Sequence, residues 1–383
     1  MEKFFAPSPR GLETVLAQEL RQLDAAEIRT ANGGVQFSGD FKLCYTVNLQ
    51  SRTASRVLWQ VACDRYGNEE DVHRVASAVP WETWFDPALT IRVKVDAIRC
   101  PLNSLDFITL KIKDAVCDRF RARAGKRPSV DTSEPDIRIH AFLDAQNITL
   151  YLDTTGEPLF KRGLRKQTVD ASMRENLAAG ILHLSGWSPG MPLLDPMCGS
   201  GTFLLEAALI SLNIAPGAQR HFAFEKLKNF DARSWKQLSD QSIKRQQPKV
   251  SQPIYGSDLY GKALDTTRAN LAAAGLEGTV QLKQANMLEI SAPAPHGILV
   301  TNPPYGERMG ESEALAEFYP RLGDMLKKKF AGWKVYLLSA DARLPKLIGL
   351  AASKRTPLYN GALECRLFEY KIVAGSMRKK TTD

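Results

Sequence analysis

The sequence predicts an α/β fold for the C-terminal part of the chain, with helices on both faces of a mostly parallel sheet, and an α+β region before it. Strand-like and helix-like segments alternate after about residue 160, which is typical of a parallel sheet with helical crossovers. Before that point, short alternating strands occur beside helices and a hairpin signal. A chain of 383 residues is also long enough for two or three domains.

The composition is that of an ordinary globular protein, with 44% hydrophobic and 24% charged residues. It excludes a disordered chain, a fibrous repeat and a disulfide-stapled miniprotein. No apolar run approaches the roughly 20 residues of a membrane span, and the N-terminus has no apolar core of signal-peptide length. The six cysteines form no CxxC pair and the five histidines have no ligand spacing. We therefore expect no metal, no disulfide framework and a cytoplasmic location.

Local patterns predict the elements of the N-terminal region. The predicted helices are 11–23, 41–51 and 109–123, and the predicted strands are 35–37, 91–95, 137–142 and 148–152. The last two strands are joined by Asp144-Ala145-Gln146-Asn147, which is a hairpin signal. In the helix 109–123 the apolar residues, Leu110 included, are predicted to face inward and the basic residues outward.

Charge is distributed unevenly along the chain, whose net charge is +9. Residues 1–160 contain 20 Lys and Arg against 22 Asp and Glu, whereas residues 161–383 contain 31 against 20. A basic half favours a polyanionic partner, with solubility alone as the alternative. Residues 119–127 contain five basic side chains and no acid, a pattern that also occurs on ordinary solvated surfaces. The candidates for RNA contact are Lys111 and, from that stretch, Arg119, Arg121, Arg123, Lys126 and Arg127.

A glycine-rich turn separates a strand that ends at Asp195 from a helix predicted over 203–212. Its glycines allow backbone conformations closed to other residues and let a ligand approach the main chain. The turn lacks the lysine of a phosphate-binding P-loop and, with Leu204 at the third position, lacks a full GxGxxG. Steric demands of a βα turn are the alternative explanation. The candidate cofactor-binding residues here are Asp195, Met197, Cys198, Gly199, Gly201 and Thr202.

Two further candidates follow the next strands. Asp258 ends strand 254–258, where a carboxylate can accept both hydroxyls of a ribose; the competing interpretation makes it the N-cap of a helix over 263–274. Asp258 lies 63 positions after Asp195, and the polar, basic segment 215–252, interpreted as an insertion, explains most of that distance. Asn286 follows a strand at 280–282 and is either an adenine contact or an ordinary loop residue.

A buried strand at 297–301 runs directly into Asn302-Pro303-Pro304-Tyr305. Two prolines remove backbone donors and leave carbonyl acceptors, Asn302 adds a side-chain acceptor, and Tyr305 offers an aromatic face for a planar base. An exocyclic amino group is a poor nucleophile because its lone pair is delocalised into the ring. Two acceptors that hold its hydrogens free that lone pair to attack a methyl sulfonium. The motif therefore predicts methyl transfer to an amino group, with a rigid turn as the alternative.

The strings DPMCGSGT (195–202) and NPPYG (302–306), with Asp258 between them, resemble the class I S-adenosylmethionine-dependent amino-methyltransferases. The longer NPPYGER (302–308) and NGALECRL (360–367) resemble a narrower group, the RlmL-type 23S rRNA guanine-N2 methyltransferases. Four strings from the rest of the chain fit the same group: SRTASRV (51–57), KIKDA (111–115), RPSVD (127–131) and KRGLR (161–165).

This resemblance implies a ferredoxin-like domain over 1–56, a THUMP RNA-binding domain over 57–157 and a seven-stranded Rossmann-like catalytic domain over 158–383. By the same resemblance, S-adenosylmethionine would be held by Asp195, Gly199, Gly201 and Asp258, and the guanine by Asn302, Pro303 and Tyr305. Two departures stand out. Asn286 occupies a position where such enzymes often have an acid, and fused relatives carry a second methyltransferase domain beyond the point where this chain stops, so we expect no second modification.

The predicted function is methyl transfer to N2 of a guanosine in large-subunit ribosomal RNA or its assembly intermediate, with no membrane or metal partner. Enzymes acting on tRNA guanine, DNA adenine or protein glutamine would use the same Asn-Pro-Pro-Tyr chemistry and remain alternatives. A non-catalytic RNA-binding assembly factor is a further alternative. The RNA-binding-like N-terminal part argues against DNA and protein substrates, and the intact motif residues argue against a non-catalytic role.

Overall fold

The computed structural model describes residues 1–163, 173–250, 252–303 and 311–373. They form two compact units. The first consists of Met1–Ser8, Leu16–Leu159 and Gly217–Gln241, and the second of Pro9–Val15, Phe160–Pro216 and Ser242–Asp383. Among the helices so described, none combines the length and the apolarity that a membrane crossing requires.

The helices and strands follow one another along the chain. Up to residue 160 they are β1 (Glu2–Pro7), α1 (Glu13–Gln22), β2 (Ala26–Ala31), β3 (Gly34–Gly39), α2 (Leu43–Gln50), β4 (Leu58–Arg65), α3 (Glu69–Ala78), β5 (Ile91–Ala97), α4 (Leu105–Ala124), β6 (Ile137–Leu143) and β7 (Asn147–Asp153). The later ones are α5 (Glu175–Leu184), β8 (Leu193–Asp195), α6 (Thr202–Ser211), α7 (Ala232–Lys244), β9 (Ile254–Asp258), α8 (Gly261–Ala273), β10 (Val280–Gln284), β11 (Gly297–Thr301), α9 (Glu311–Lys329), β12 (Trp333–Ser339), α10 (Leu344–Leu347), β13 (Lys354–Asn360) and β14 (Leu363–Lys371).

The first unit is built on one seven-stranded sheet with the order β2-β3-β1-β4-β7-β6-β5. The sheet runs without interruption through both predicted N-terminal domains, because β1 pairs with β4 through Phe4 opposite Trp59. The predicted hairpin is present, since β6 and β7 pair antiparallel, whereas β5 lies parallel to β6. The ferredoxin-like and THUMP regions thus share a sheet, and the exact boundary between them stays a prediction.

Helix α4 shows how local sequence fixes an element of this unit. The Ser104 hydroxyl accepts a hydrogen bond from the Phe107 amide (3.2 Å) at its start, and Gly125 ends it in the left-handed region (φ 68°). Ile112 and Phe120 are buried as predicted. The prediction for Leu110 is wrong, because this side chain is 53% exposed. Two residues correspond to about 200° around a helix, so Leu110 lies opposite Ile112.

Residues 217–241, which lie within the segment predicted as an insertion, complete the core of the first unit. Phe222 and Phe224 are buried in that core, and the Phe224 ring lies 4.5 Å from the Tyr45 ring. The Phe224 amide also donates to the Thr154 carbonyl (3.0 Å). Two basic residues of the segment contact the same unit, since Lys226 pairs with Asp136 and Lys228 donates to the Glu82 carbonyl. The segment is therefore a structural part of the first unit.

The second unit contains a seven-stranded sheet with the order β10-β9-β8-β11-β12-β14-β13. Strands β10, β9, β8, β11 and β12 run parallel, and β14 lies antiparallel to both β12 and β13. This confirms the predicted Rossmann-like, mostly parallel sheet. Because β8 lies between β9 and β11, the carboxyl ends of these three strands meet at one edge of the sheet, where open α/β sheets bind ligands.

A buried ion pair ties the chain that enters this unit to helix α6. The Arg162 Nε lies 3.2 Å from a Glu206 carboxylate oxygen, and the two side chains are 3% and 1% exposed. Burial removes the water that would otherwise screen and solvate both charges.

We expect Glu206→Ala to lower the free energy of unfolding by about 3–5 kcal/mol, because the buried Arg162 charge would lose the Glu206 carboxylate. Denaturant unfolding measures this change. Arg268→Ala is the matched control, since Arg268 pairs with Asp265 at the surface, where the two side chains are 56% and 76% exposed. Its free energy of unfolding should fall by less than about 1 kcal/mol. Equal costs for both variants would contradict the structural importance of the buried pair.

Candidate functional site

The glycine-rich turn lies between β8 and α6 and contains two residues in the left-handed region. Gly199 has φ 54° and Gly201 has φ 82°. A Cβ added to Gly201 would lie 2.7 Å from the Thr267 Cγ2, so this position also requires glycine for close packing. A Cβ on Gly199 would meet nothing within 4 Å. The turn is thus tightly packed on its Gly201 side and open at Gly199.

Helix α8 and strand β9 hold the turn in place. The Thr267 hydroxyl donates to the Gly199 carbonyl (2.8 Å), and the Asn270 amide donates to the Ser200 carbonyl (3.1 Å). The Cys198 amide donates to the Ser257 carbonyl (2.9 Å). Thr267 and Asn270 were not among the predicted site residues, because their burial, which sets them apart from ordinary polar residues, is visible only in the fold.

Asp195 is buried at the end of β8, and its carboxylate joins β8 to β11. The Thr301 hydroxyl donates to the Asp195 Oδ1 (2.8 Å), and the Met197 amide donates to the same oxygen (3.3 Å). Burial raises the pKa of Asp195 to about 7, and the Asp258 carboxylate adds to that rise, while the bonds from Thr301 and Met197 oppose it. Thr301, also missed from the sequence, therefore links the turn to the strand that carries Asn302.

Asp258 lies at the end of β9 and reaches the same turn. Its Oδ2 accepts a hydrogen bond from the Gly199 amide (2.9 Å), and its Oδ1 accepts one from the Tyr260 amide (3.0 Å). The alternative interpretation of Asp258 as a helix cap is wrong, because the N-cap of α8 is Tyr260. The carboxylate thus lies beside the open Gly199 position.

Cys198 and Asn286 have more local roles. Burial raises the pKa of the Cys198 thiol well above its ordinary value, so this thiol stays protonated. Asn286 follows β10 at the same sheet edge, and its Oδ1 accepts a hydrogen bond from the Leu288 amide (3.0 Å). The Asn286 side chain is half-buried, so its contact with an adenine stays a prediction.

The Asn-Pro-Pro-Tyr motif begins where β11 ends. Asn302 is half-buried and Pro303 is buried, whereas Pro304 and Tyr305 lie outside the described residues. Because β11 pairs with β8 through Ile298–Leu193 and Leu299–Leu194, Asn302 stands at the strand end next to Asp195. The structure therefore brings the start of this motif to the edge that also carries the glycine turn and Asp258.

The six RNA-contact candidates all belong to the first unit and differ in their surroundings. Arg119 forms an ion pair with Glu82, with its Nη2 2.7 Å from the carboxylate, and is only 20% exposed. Lys111 pairs with Glu70 and Arg121 with Asp118. Arg123, Lys126 and Arg127 are exposed. Within the described ranges, no three His, Cys, Asp or Glu side chains form a group that could hold a metal ion.

Three family models match successive parts of the chain. Residues 3–58 match the RlmL ferredoxin-like domain, residues 66–153 the THUMP domain, and residues 162–369 the RMKL-like methyltransferase domain. These matches confirm the resemblance inferred from the sequence motifs.

Individual relatives agree with the family models. The chain is 39% identical over 370 residues to a Synechocystis sp. protein named "Putative RNA methyltransferase slr0064", with 96% of each chain covered. It is 40% identical over 381 residues to the ribosomal RNA large subunit methyltransferase K/L of Syntrophotalea carbinolica, of which it spans 53%. The methyltransferase-like protein SMU.472, whose crystal structure holds SAH, is 30% identical with a TM-score of 0.89, covering 98% of this chain and 99% of that one.

The raised pKa of Asp195 makes the stability of the protein depend on pH. An unfolded aspartate ionises near pH 4, whereas folded Asp195 keeps its proton up to about pH 7, so the folded state binds the extra proton and stability falls as the pH rises between these values. From pH 5 to pH 8 we expect this group to cost roughly 2–3 kcal/mol. Asp195→Asn should remove that part of the decline in denaturant unfolding. If the free energy of unfolding of Asp195→Asn fell as steeply with pH as that of the wild-type protein, Asp195 could not be its cause.

Proposed function

Because the chain belongs to the RMKL-like methyltransferase family, we propose that it transfers a methyl group from S-adenosylmethionine to the exocyclic N2 of a guanosine in 23S rRNA. The observation that carries this proposal is the position of Asn302, one strand away from Asp195 at the edge that holds the glycine turn. The chain spans about half the length of the K/L relatives it matches, so the activity of those longer proteins enters here only as support.

The residues at the sheet edge fit the proposed cofactor. Gly199 leaves an opening beside its main chain, which a Cβ would fill, and Asp258 places a carboxylate there as an acceptor for ribose hydroxyls. Met197, Gly201 and Thr202 complete the turn, and Asn286 is the proposed adenine contact. When bound, S-adenosylmethionine supplies an electrophilic methyl group.

Asn302 and Pro303 provide the acceptors that the target amino group needs. The Asn302 side-chain carbonyl and the Pro303 main-chain carbonyl accept the two N2 hydrogens, which localises the nitrogen lone pair for attack. Pro304 stiffens the motif, and Tyr305 stacks on the guanine, which is worth about 1–3 kcal/mol. Most of the rate enhancement then comes from positioning and from acceptors placed where positive charge develops on nitrogen.

RNA is favoured over DNA or protein by the THUMP region and its exposed cations. Arg123, Lys126 and Arg127 are available for phosphate contacts, whereas Arg119 and Lys111 already form ion pairs within the protein. Phosphate contacts of this kind position a nucleic acid and carry no sequence information. The target guanine must leave its stack to reach the motif, at a cost of a few kcal/mol in a duplex and less in a loop.

The two glycines of the turn should respond differently to substitution. Gly199→Ala adds a methyl group to the open side and should abolish S-adenosylmethionine binding, with a stability loss of about 1–2 kcal/mol from the left-handed backbone. Gly201→Ala adds a clash with Thr267 and should destabilise the protein more. Isothermal titration and denaturant unfolding measure the two effects. Undiminished cofactor binding by a folded Gly199→Ala protein would contradict the proposed cradle.

Replacing Asn302 tests the proposed chemistry directly. Tritium transfer from labelled S-adenosylmethionine into 23S rRNA from cells lacking this protein should place the label in N2-methylguanosine. Asn302→Ala should lower the rate by at least about 100-fold, because one acceptor of the amino group is lost, while RNA affinity stays nearly constant. Loss of RNA binding in this variant would contradict the assigned role.

The same transfer assay, run in parallel with DNA as the acceptor, separates the alternatives. Label in DNA would overturn the RNA proposal. No label in 23S rRNA, with cofactor binding intact, would indicate a tRNA or protein substrate. Failure of the wild-type protein to bind S-adenosylmethionine would leave the non-catalytic RNA-binding role.

A further inference from the structure

The β13–β14 hairpin rises above the carboxyl edge of the second unit's sheet. Strand β12 is parallel to β11, and its last residue, Ser339, lies opposite Arg366 near the start of antiparallel β14. The hairpin therefore extends past the ends of the parallel strands and turns at Gly361 (φ 66°), on the side of the sheet where Asn302 follows β11.

Two arginines lie against aromatic rings at this hairpin. The Arg10 guanidinium carbon is 5.5 Å from the centre of the Tyr359 ring, and the Arg174 guanidinium carbon is 4.8 Å from the centre of the Phe160 ring. An Arg174 Nη2 also lies 3.9 Å from the position that a Cβ on Gly361 would occupy. We name the surface formed by Arg10, Phe160, Arg174, Tyr359 and Gly361 the hairpin rim; all five residues belong to the second unit.

The rim arginines keep their charge available. Both are exposed, and neither forms a salt bridge with a carboxylate of the described residues. By contrast, two other exposed arginines of this unit form ion pairs, Arg343 with Asp341 and Arg268 with Asp265. Stacking on a ring holds a guanidinium in place without neutralising it, so less conformational entropy is lost when it binds an anion.

We propose that the hairpin rim binds the phosphate backbone of the RNA strand next to the target nucleotide. This inference rests on the proposed function, and it adds a contact surface in the catalytic unit to the candidates of the THUMP region. Two fixed, unneutralised guanidiniums beside half-buried aromatic rings suit a single-stranded polyanion whose bases can stack. Their place at the edge that carries Asn302 puts them where a strand presenting its base to that motif must pass.

The test is the salt dependence of RNA binding by the full chain. A fluorescein-labelled single-stranded RNA oligonucleotide is titrated at several salt concentrations, and the double variant R10Q/R174Q is compared with K334Q/K371Q. The control removes the same charge from Lys334 and Lys371, neighbours at the opposite edge of the sheet. Each lost phosphate contact lowers the slope of log K against log salt by about 0.7, so R10Q/R174Q should lower it by about 1.4 and the control should leave it unchanged.

Further outcomes separate the rim from the proposed function. R10K/R174K keeps both charges and should restore the wild-type slope, and SAH affinity should stay the same in every variant. An unchanged slope in R10Q/R174Q, with methyl transfer intact, would contradict phosphate binding by the hairpin rim without contradicting the proposed function. A lowered slope without any methyl transfer by the wild-type protein supports the rim and overturns the function. Equal loss of binding to a polyglutamate peptide would overturn RNA as the occupant in favour of an acidic protein.

Discussion

The hydrogen bond from the Thr301 hydroxyl to the Asp195 carboxyl joins the two strand ends on which the site depends. Both residues are buried, so a shift of either strand would leave a polar group without a partner in a medium that penalises it strongly. Asp195 also holds the start of the glycine turn through Met197, and Asn302 directly follows Thr301. One interaction therefore keeps the glycine turn and the start of the Asn-Pro-Pro-Tyr motif in a fixed register.

The carboxyl groups of Asp195 and Asp258 lie at the same sheet edge but in different environments. Asp195 is surrounded by protein, and its raised pKa reflects the cost of charging a buried acid. Asp258 lies beside exposed Leu259 and Tyr260 and binds the Gly199 amide, so it faces the open part of the turn. Both acids are buried, with Asp195 2% and Asp258 9% exposed. Asp195 organises two strand ends, whereas Asp258 is the proposed acceptor for ribose hydroxyls.

Much of this arrangement was predictable from the sequence because its signals are local. Short local sequences mark the strand ends at Asp195 and Asp258 and the motif after Thr301. The order of these sequences in an alternating β-α pattern implies that they lie at one edge of the sheet. The supports were not predictable in the same way. Thr267, Asn270 and Thr301 look like ordinary polar residues until the fold brings them to the turn.

Longer-range pairings were equally hidden. Arg119 belongs to a run of basic residues that looks solvated, but its partner Glu82 lies 37 positions earlier in the chain. The exposure of Leu110 has a simpler cause, since the apolar character of a residue does not fix its angle around the helix. Local patterns thus predict the strand ends that meet at this edge. Contacts between distant segments decide which basic side chains form ion pairs within the protein.

The path of residues 217–241 bears on how this protein could have been assembled in evolution. The chain leaves the second unit after α6, adds Phe222 and Phe224 to the core of the first, and returns before β9. A single cut near residue 158 would strip the first unit of part of its interior and leave those aromatic side chains exposed on the other fragment. The two units are therefore not interchangeable modules, and recombination could exchange them only together with this interleaved segment.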